Sequence, residues 1–292
     1  LTVYTTFREN INLRQSFFFL FLSLICLSAC VTVTAQYRKL SLPEVSPDAD
    51  KKITAVKAIT TDAFQQGVFR GNTSFLVPYR LLSPLPVKDK RYPLVIVFHG
   101  SGAVGSDNTK QLGFLARSWA DADMRQRFPA FVLVPQFPSR SSNYDMDPGR
   151  QVLTSKVQPP VYTVLALIDS LKSVLPVDTS RIYLQGFSMG ASTVLNAMSL
   201  RPGFFAAGVA FSGIADLKAQ EILKHTPLWI IHGNADTENT FASDSLFYRE
   251  MKANGAKHIR LWEIDGMAHE LPLEMISNGT FAAWLFSKKR KH

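Results

Sequence analysis

The sequence predicts an α/β fold in which a mostly parallel central sheet carries helices on both faces, and three observations lead there. Largely apolar runs at 92–98, 130–135, 182–186, 206–211 and 228–232 have strand length without polar alternation, as strands covered on both faces require. Segments of helical periodicity separate them, and alternating strand and helix implies parallel pairing through right-handed crossovers. The third observation is Gly186-Phe187-Ser188-Met189-Gly190, a G-x-S-x-G set between the run Arg181 to Gln185 and the helical run Ala191 to Leu200.

The first 35 residues read as a signal peptide: Arg8 and Arg14 precede one apolar block, Phe17 to Cys30. Two cleavage readings compete. Leu27-Ser28-Ala29-Cys30 has the form of a lipoprotein box, with a lipid anchor at Cys30, while Val33-Thr34-Ala35 before Gln36 has small residues where an ordinary signal peptidase needs them. Either predicts an exported protein, periplasmic, extracellular or membrane-anchored through lipid. The two cysteines, Cys26 and Cys30, both fall here, so residues 36–292 hold no disulfide or thiolate metal site.

Residues 36–60 mix Pro43, Pro47 and charges without periodicity and read as a linker or leader, leaving 61–292 as a single α/β domain. Phe64 to Leu82 alternates around Arg70-Gly71-Asn72-Thr73, predicting an antiparallel hairpin. The buried strand Tyr92 to Phe98 follows. Helices are expected at Gln111 to Ala120, Val161 to Leu175, Ala191 to Leu200, Ser243 to Asn254 and Gly279 to Lys288, with a further strand at Ile259 to Ile264. Phe137 to Pro160 is irregular and too long for a mere connection, as lids and binding loops often are; Tyr144, Asp145, Asp147 and Arg150 lie in it. The formal charge of +9 is partly local to Ser287 to His292, which reads as a solvated tail, and no nucleic-acid motif is present.

A serine between a strand and a helix is forced onto a sharp elbow that lifts its hydroxyl clear of the sheet, with glycines on either side for close backbone approach. Ser188 is therefore the candidate nucleophile. A hydroxyl needs a base that is neutral near working pH, and His269 in Gly266-Met267-Ala268-His269 supplies one. A carboxylate on the other ring nitrogen sets the tautomer, and Asp236 follows the strand Leu228 to His232. Ser, then Asp, then His is the chain order of α/β-hydrolases. Donors for the developing oxyanion are the backbone N–H of Met189 and, in the turn His99-Gly100-Ser101-Gly102, that of Ser101.

The ordered set Pro93 to Asn108, Phe131 to Gln136, Arg181 to Leu184, Gly186 to Gly190 and His232 to Asp236 resembles the prolyl-oligopeptidase-like predicted-peptidase and esterase group of α/β-hydrolases. Its relatives include polyhydroxybutyrate-depolymerase-like and feruloyl or acetyl-xylan esterases, and the likeness spans about Tyr79 to Phe286. The resemblance implies the same triad and oxyanion positions and no metal or organic cofactor. It departs from the group at Ala103-Val104, where an acidic residue is more usual, and at Glu238-Asn239, where valine and proline often follow the aspartate. The function expected is an exported serine esterase acting through an acyl-enzyme on a small-molecule or polysaccharide-linked ester. A serine peptidase for short peptides and a non-catalytic binding module are the alternatives.

Overall fold

The computed structural model describes residues 36–42, 44–71 and 75–290. The predicted signal peptide, with both cleavage readings, lies outside the described residues.

Among those residues one sheet holds nine strands. They are β1 (Tyr37–Ser41), β2 (Phe64–Arg70), β3 (Leu76–Leu82), β4 (Tyr92–Phe98), β5 (Phe131–Pro135), then, after a separate hairpin of β6 (Ser142–Asp147) and β7 (Val152–Val157), β8 (Val177–Phe187), β9 (Ala207–Phe211), β10 (Leu228–Gly233) and β11 (Ile259–Asp265). Their order is β1-β11-β10-β9-β8-β4-β5-β3-β2. Only β3 runs against the others, pairing antiparallel with both β2 and β5. The mostly parallel sheet predicted from the apolar runs is the one observed.

Those runs lack polar alternation because both faces of the sheet are covered. Strand β4 sends Leu94, Ile96 and Phe98 into one core layer and Val95 and Val97 into the other. The first layer is closed by the helices Pro160–Val174, Met189–Leu200 and Phe241–Ala253, the second by Phe114–Arg117, Ala122–Arg127 and Thr280–Phe286. Each fully buried aliphatic or aromatic side chain contributes about 1.5–3 kcal/mol, so a polar residue at every second position would forfeit half of this stabilisation.

The structure departs from the sequence reading in four places. The segment read as a leader supplies an edge strand and a helix. β1 lies parallel on β11, from Tyr37 opposite Leu261 to Ser41 opposite Asp265, with Tyr37 bonded to Glu263 and Lys39 to Asp265 at 2.9 Å. The following helix, Pro47–Ala58, starts at Ser46, whose hydroxyl accepts from the Ala49 N–H, and buries only Ile53 and Val56. An exposed edge strand and a helix with two buried positions leave little periodicity to read.

The irregular stretch from Phe137 contains the β6–β7 hairpin. Its exposed residues include Met146, and its buried contacts with the helix after Ser188 are made by hydroxyls and amides: Ser141 with Thr193 at 2.7 Å, Asn196 to Ser142 at 2.8 Å and Ser155 to Asn196 at 2.9 Å. A strand that buries polar side chains leaves no hydrophobic alternation. The helix expected at Gln111 to Ala120 is broken into Phe114–Arg117, a 3-10 turn at Ser118–Ala120 and Ala122–Arg127, because Asp121 caps the last of these by accepting from the Met124 N–H. The basic tail is held as far as Arg290: the Tyr183 hydroxyl donates to the Lys288 carbonyl at 2.7 Å and the Arg290 N–H to the Ser180 carbonyl at 2.9 Å.

Candidate active site

Three loops at the carboxyl ends of β4, β8 and β10 and one after β11 bring the site together, where sites of open α/β sheets gather. Ser188 sits between β8 and its helix with φ of 57° and ψ of −123°, a conformation that a residue with a Cβ rarely adopts. The elbow is made by close backbone approach on both sides. A Cβ on Gly186 would lie 2.2 Å from the Gly190 carbonyl oxygen, and one on Gly190 would lie 2.3 Å from that of Phe98. Glycine is required at both, and the second contact draws the serine helix onto the end of β4.

His269 Nε2 lies 2.9 Å from Ser188 Oγ and its Nδ1 2.7 Å from Asp236 Oδ2. The structure thus joins the three residues predicted from sequence, although 81 and 33 positions separate His269 from the other two. Gly233 helps to set this distance: a Cβ there would fall 2.0 Å from the Met267 carbonyl oxygen, so the loop carrying Asp236 rests directly on the loop carrying His269. The ring of Phe187 covers the imidazole, with centroids 4.9 Å apart.

Asp236 is buried, and its remaining oxygen, Oδ1, accepts from the N–H groups of Glu238 and Asn239, each at 2.9 Å. Burial pushes its carboxyl up, but donors from His232, His269 and Asn239 outweigh this and hold it at about 2. The departure at Glu238-Asn239 matters here. A proline at 239 has no N–H, whereas Asn239 donates one to Asp236 and also ties its side-chain amide to the Ser212 carbonyl at 2.8 Å.

Ser101 opens a 3-10 turn and Met189 opens a helix, so the N–H of each lies in a first turn with no intrahelical acceptor. The turn lies against Ser188, since a Cβ on Gly100 would be 3.5 Å from Ser188 Cβ. Gln136 braces it: its Nε2 donates to the Ala103 carbonyl at 3.1 Å and its Oε1 accepts from the Asn108 N–H at 2.6 Å. Gln136 is fully buried at the end of β5, and a lone polar residue after a buried strand was the signal in the sequence.

His99 is occupied in the same brace. Its Nε2 accepts from the Phe137 N–H at 2.9 Å, so its Nδ1 carries the proton and donates to the Gly100 carbonyl at 2.7 Å. Burial pushes its imidazole below the usual value. Of the four residues singled out between Phe137 and Pro160, three are used within the hairpin or on its neighbour: Asp145 pairs with Lys156, and Asp147 with Arg150, which also reaches Glu250. Tyr144 alone meets the serine helix, its hydroxyl 3.1 Å from Ser192 Oγ. A cavity of about 550 Å³, lined by Leu40, Ile53, Trp262, Leu271 and Met275 among others, lies between β1 and the segment after His269 and does not include Ser188, Asp236 or His269.

A mostly parallel sheet with a serine elbow, a histidine and an acid after successive strands defines an α/β-hydrolase. Residues 85–279 match the family model for phospholipases and carboxylesterases, about two thirds of the chain, and the protein belongs to that family. The solved structure of a thermostable esterase is similar, at 29% identity and a TM-score of 0.71, covering 79% of this chain and 64% of that one. A bifunctional acetylxylan esterase/xylanase of Neocallimastix patriciarum is 36% identical over 73 residues, 25% of this chain and 11% of that protein. The chain therefore spans less than two thirds of either relative. The ferulic acid esterase of Anaeromyces mucronatus shares the fold at 15% identity and a TM-score of 0.58, covering 83% of this chain and 96% of that one.

Proposed function

We propose that the protein hydrolyses carboxylic esters through a Ser188 acyl-enzyme. The observation that carries this reading is the continuous chain from Ser188 Oγ through both nitrogens of His269 to Asp236, with the serine on a strained elbow. His269 takes the hydroxyl proton as Oγ bonds to the ester carbonyl carbon. The oxyanion that forms accepts from the N–H groups of Ser101 and Met189. Collapse breaks the bond to the leaving oxygen, which takes the proton from His269 and departs as alcohol. Water then gives a proton to His269 and attacks the acyl carbon, and the second collapse releases the acid and returns the proton to Ser188.

Asp236 holds the Nδ1 proton in place and stabilises the imidazolium formed in each half-reaction. No metal or organic cofactor enters these steps. The substrate class is a small-molecule or polysaccharide-linked ester, a reading supported by relatives named for acetylxylan and ferulic acid esters. Export, with cleavage before Cys30 or after Ala35, is supported by the apolar block after Arg8 and Arg14.

A panel of chromogenic esters with acyl chains from acetyl upward, feruloyl esters and matched amides tests the reading, alongside fluorophosphonate labelling. Ester turnover with labelling at Ser188, both lost in Ser188→Ala, is expected. Faster turnover of the amides would make the protein a peptidase, and failure of the folded wild type to label or to turn over any substrate would make it a binding module.

A further inference from the structure

Beside the triad lies a second histidine–carboxylate pair with no part in the steps above. His232, at the end of β10, is completely buried. Its Nδ1 lies 2.8 Å from Asp244 Oδ2, and its Nε2 lies 2.7 Å from the Asn239 carbonyl oxygen and 3.3 Å from Asp236 Oδ2. Asp244 stands in the first turn of its helix, where the exposed N–H groups favour a negative charge.

The geometry determines the protons. A carbonyl oxygen can only accept, so Nε2 carries a proton. Nδ1 faces Asp244 Oδ2 at 2.8 Å, and against a carboxylate it donates as well, which makes the ring an imidazolium between two carboxylates. Burial pulls its ionisation down, but the neighbouring carboxylates of Asp236 and Asp244 win and raise it to about 9. Asp236 Oδ2 thus faces two imidazoles, His269 at 2.7 Å and His232 at 3.3 Å.

We propose that His232, held by Asp244 and by the Asn239 carbonyl that takes its Nε2–H, is a positioning residue for the triad: its positive charge, 3.3 Å from Asp236 Oδ2, holds that carboxylate in place and offsets part of the negative charge that His269 feels. The proposal rests on the esterase reading above. The consequence is an enzyme that remains active at lower pH than it would without the charge of His232. The charged groups facing His232 are Asp236 and Asp244, with the half-buried Tyr144 hydroxyl raised by burial beyond them. Those facing His269 are Asp236 and the exposed Glu238, whose Oε2 is 3.7 Å from Nε2.

The test is the pH profile of kcat/KM for wild type and His232→Gln, on the full chain. Glutamine keeps an N–H donor but removes the positive charge and leaves Asp244 uncompensated. Both changes favour the protonated base, so the acidic limb should move to higher pH by about one unit, with KM little altered. A merely structural role would lower the amount of active enzyme and leave the limb where it is, and an unmoved limb with normal fluorophosphonate labelling overturns the proposal. A wild type that does not label at Ser188 overturns the esterase reading, and this proposal with it.

A second measurement does not depend on the variant folding. In the wild-type chain labelled with ¹⁵N-histidine, one of the six histidines should keep exchange-protected protons on both ring nitrogens at pH 8. Six singly protonated rings at that pH would overturn the proposal.

Discussion

Asp236→Asn should reduce ester hydrolysis by trapping the base in the wrong tautomer, and the structure shows why the asparagine cannot escape by turning its amide over. Oδ1 of Asp236 accepts two backbone N–H groups, from Glu238 and Asn239, so the amide oxygen of Asn must occupy that place. The amide NH₂ is then forced toward His269 Nδ1, the position now held by the acceptor Oδ2 at 2.7 Å. Two donors cannot face each other. His269 relaxes by moving its proton to Nε2, the nitrogen 2.9 Å from Ser188 Oγ, and loses its capacity to accept. In other triads this exchange of tautomer costs a factor of about 10⁴ in kcat, or about 5 kcal/mol of transition-state stabilisation. Steady-state kinetics on a chromogenic acetyl ester, with the active enzyme counted by fluorophosphonate titration, should show kcat reduced by about that factor and KM little changed. Activity within tenfold of wild type would refute the reasoning. If Glu238→Gln were inactive at the same time, the exposed Glu238 would be the acid instead.

Other outcomes follow from the same contacts. Ser188→Ala should lose turnover and labelling with an unchanged thermal midpoint, while Ser188→Gly should raise the midpoint, because the positive φ costs a residue with a Cβ about 1 kcal/mol or more. Gly233→Ala places a Cβ 2.0 Å from the Met267 carbonyl oxygen and must part the Asp236 and His269 loops, lowering stability to urea by about 2–3 kcal/mol and kcat with it. Gln136→Leu should lower kcat through a loosened oxyanion turn while leaving labelling stoichiometry intact. Stability should also depend on pH. His232 is raised from 6.5 to about 9 in the folded protein, so its contribution is complete below pH 6.5 and fades as pH rises through 9; urea midpoints should fall across that window in wild type and stay level in His232→Gln. Asp236 is lowered from 3.8 to about 2, so its contribution holds above pH 4 and is lost as pH falls through 2.

The sequence by itself determined the parallel sheet and pointed to Ser188, Asp236 and His269, which the structure brings together. Strands such as Tyr92–Phe98, buried on both faces, must be continuously apolar, and a nucleophile elbow needs glycine at 186 and 190 because backbone oxygens stand within 2.3 Å of where a Cβ would be. Such demands leave marks in composition over a few neighbouring residues. Tertiary structure decided what leaves no such mark. The strand Tyr37–Ser41 pairs at an exposed edge and is tied there by Tyr37 to Glu263 and Lys39 to Asp265, contacts that put no periodic apolar pattern into its sequence. The β6–β7 hairpin is held by hydroxyl and amide contacts to the serine helix, which reverse the usual alternation. His232 was legible only as the histidine that ends the strand Leu228 to His232. Its role depends on Asp244 lying 2.8 Å from one nitrogen and the Asn239 carbonyl 2.7 Å from the other, and only the packing of the helix after β10 against the sheet brings these groups together. Proton positions follow from which acceptors surround a ring, and that is a property of three-dimensional neighbours, not of residue order.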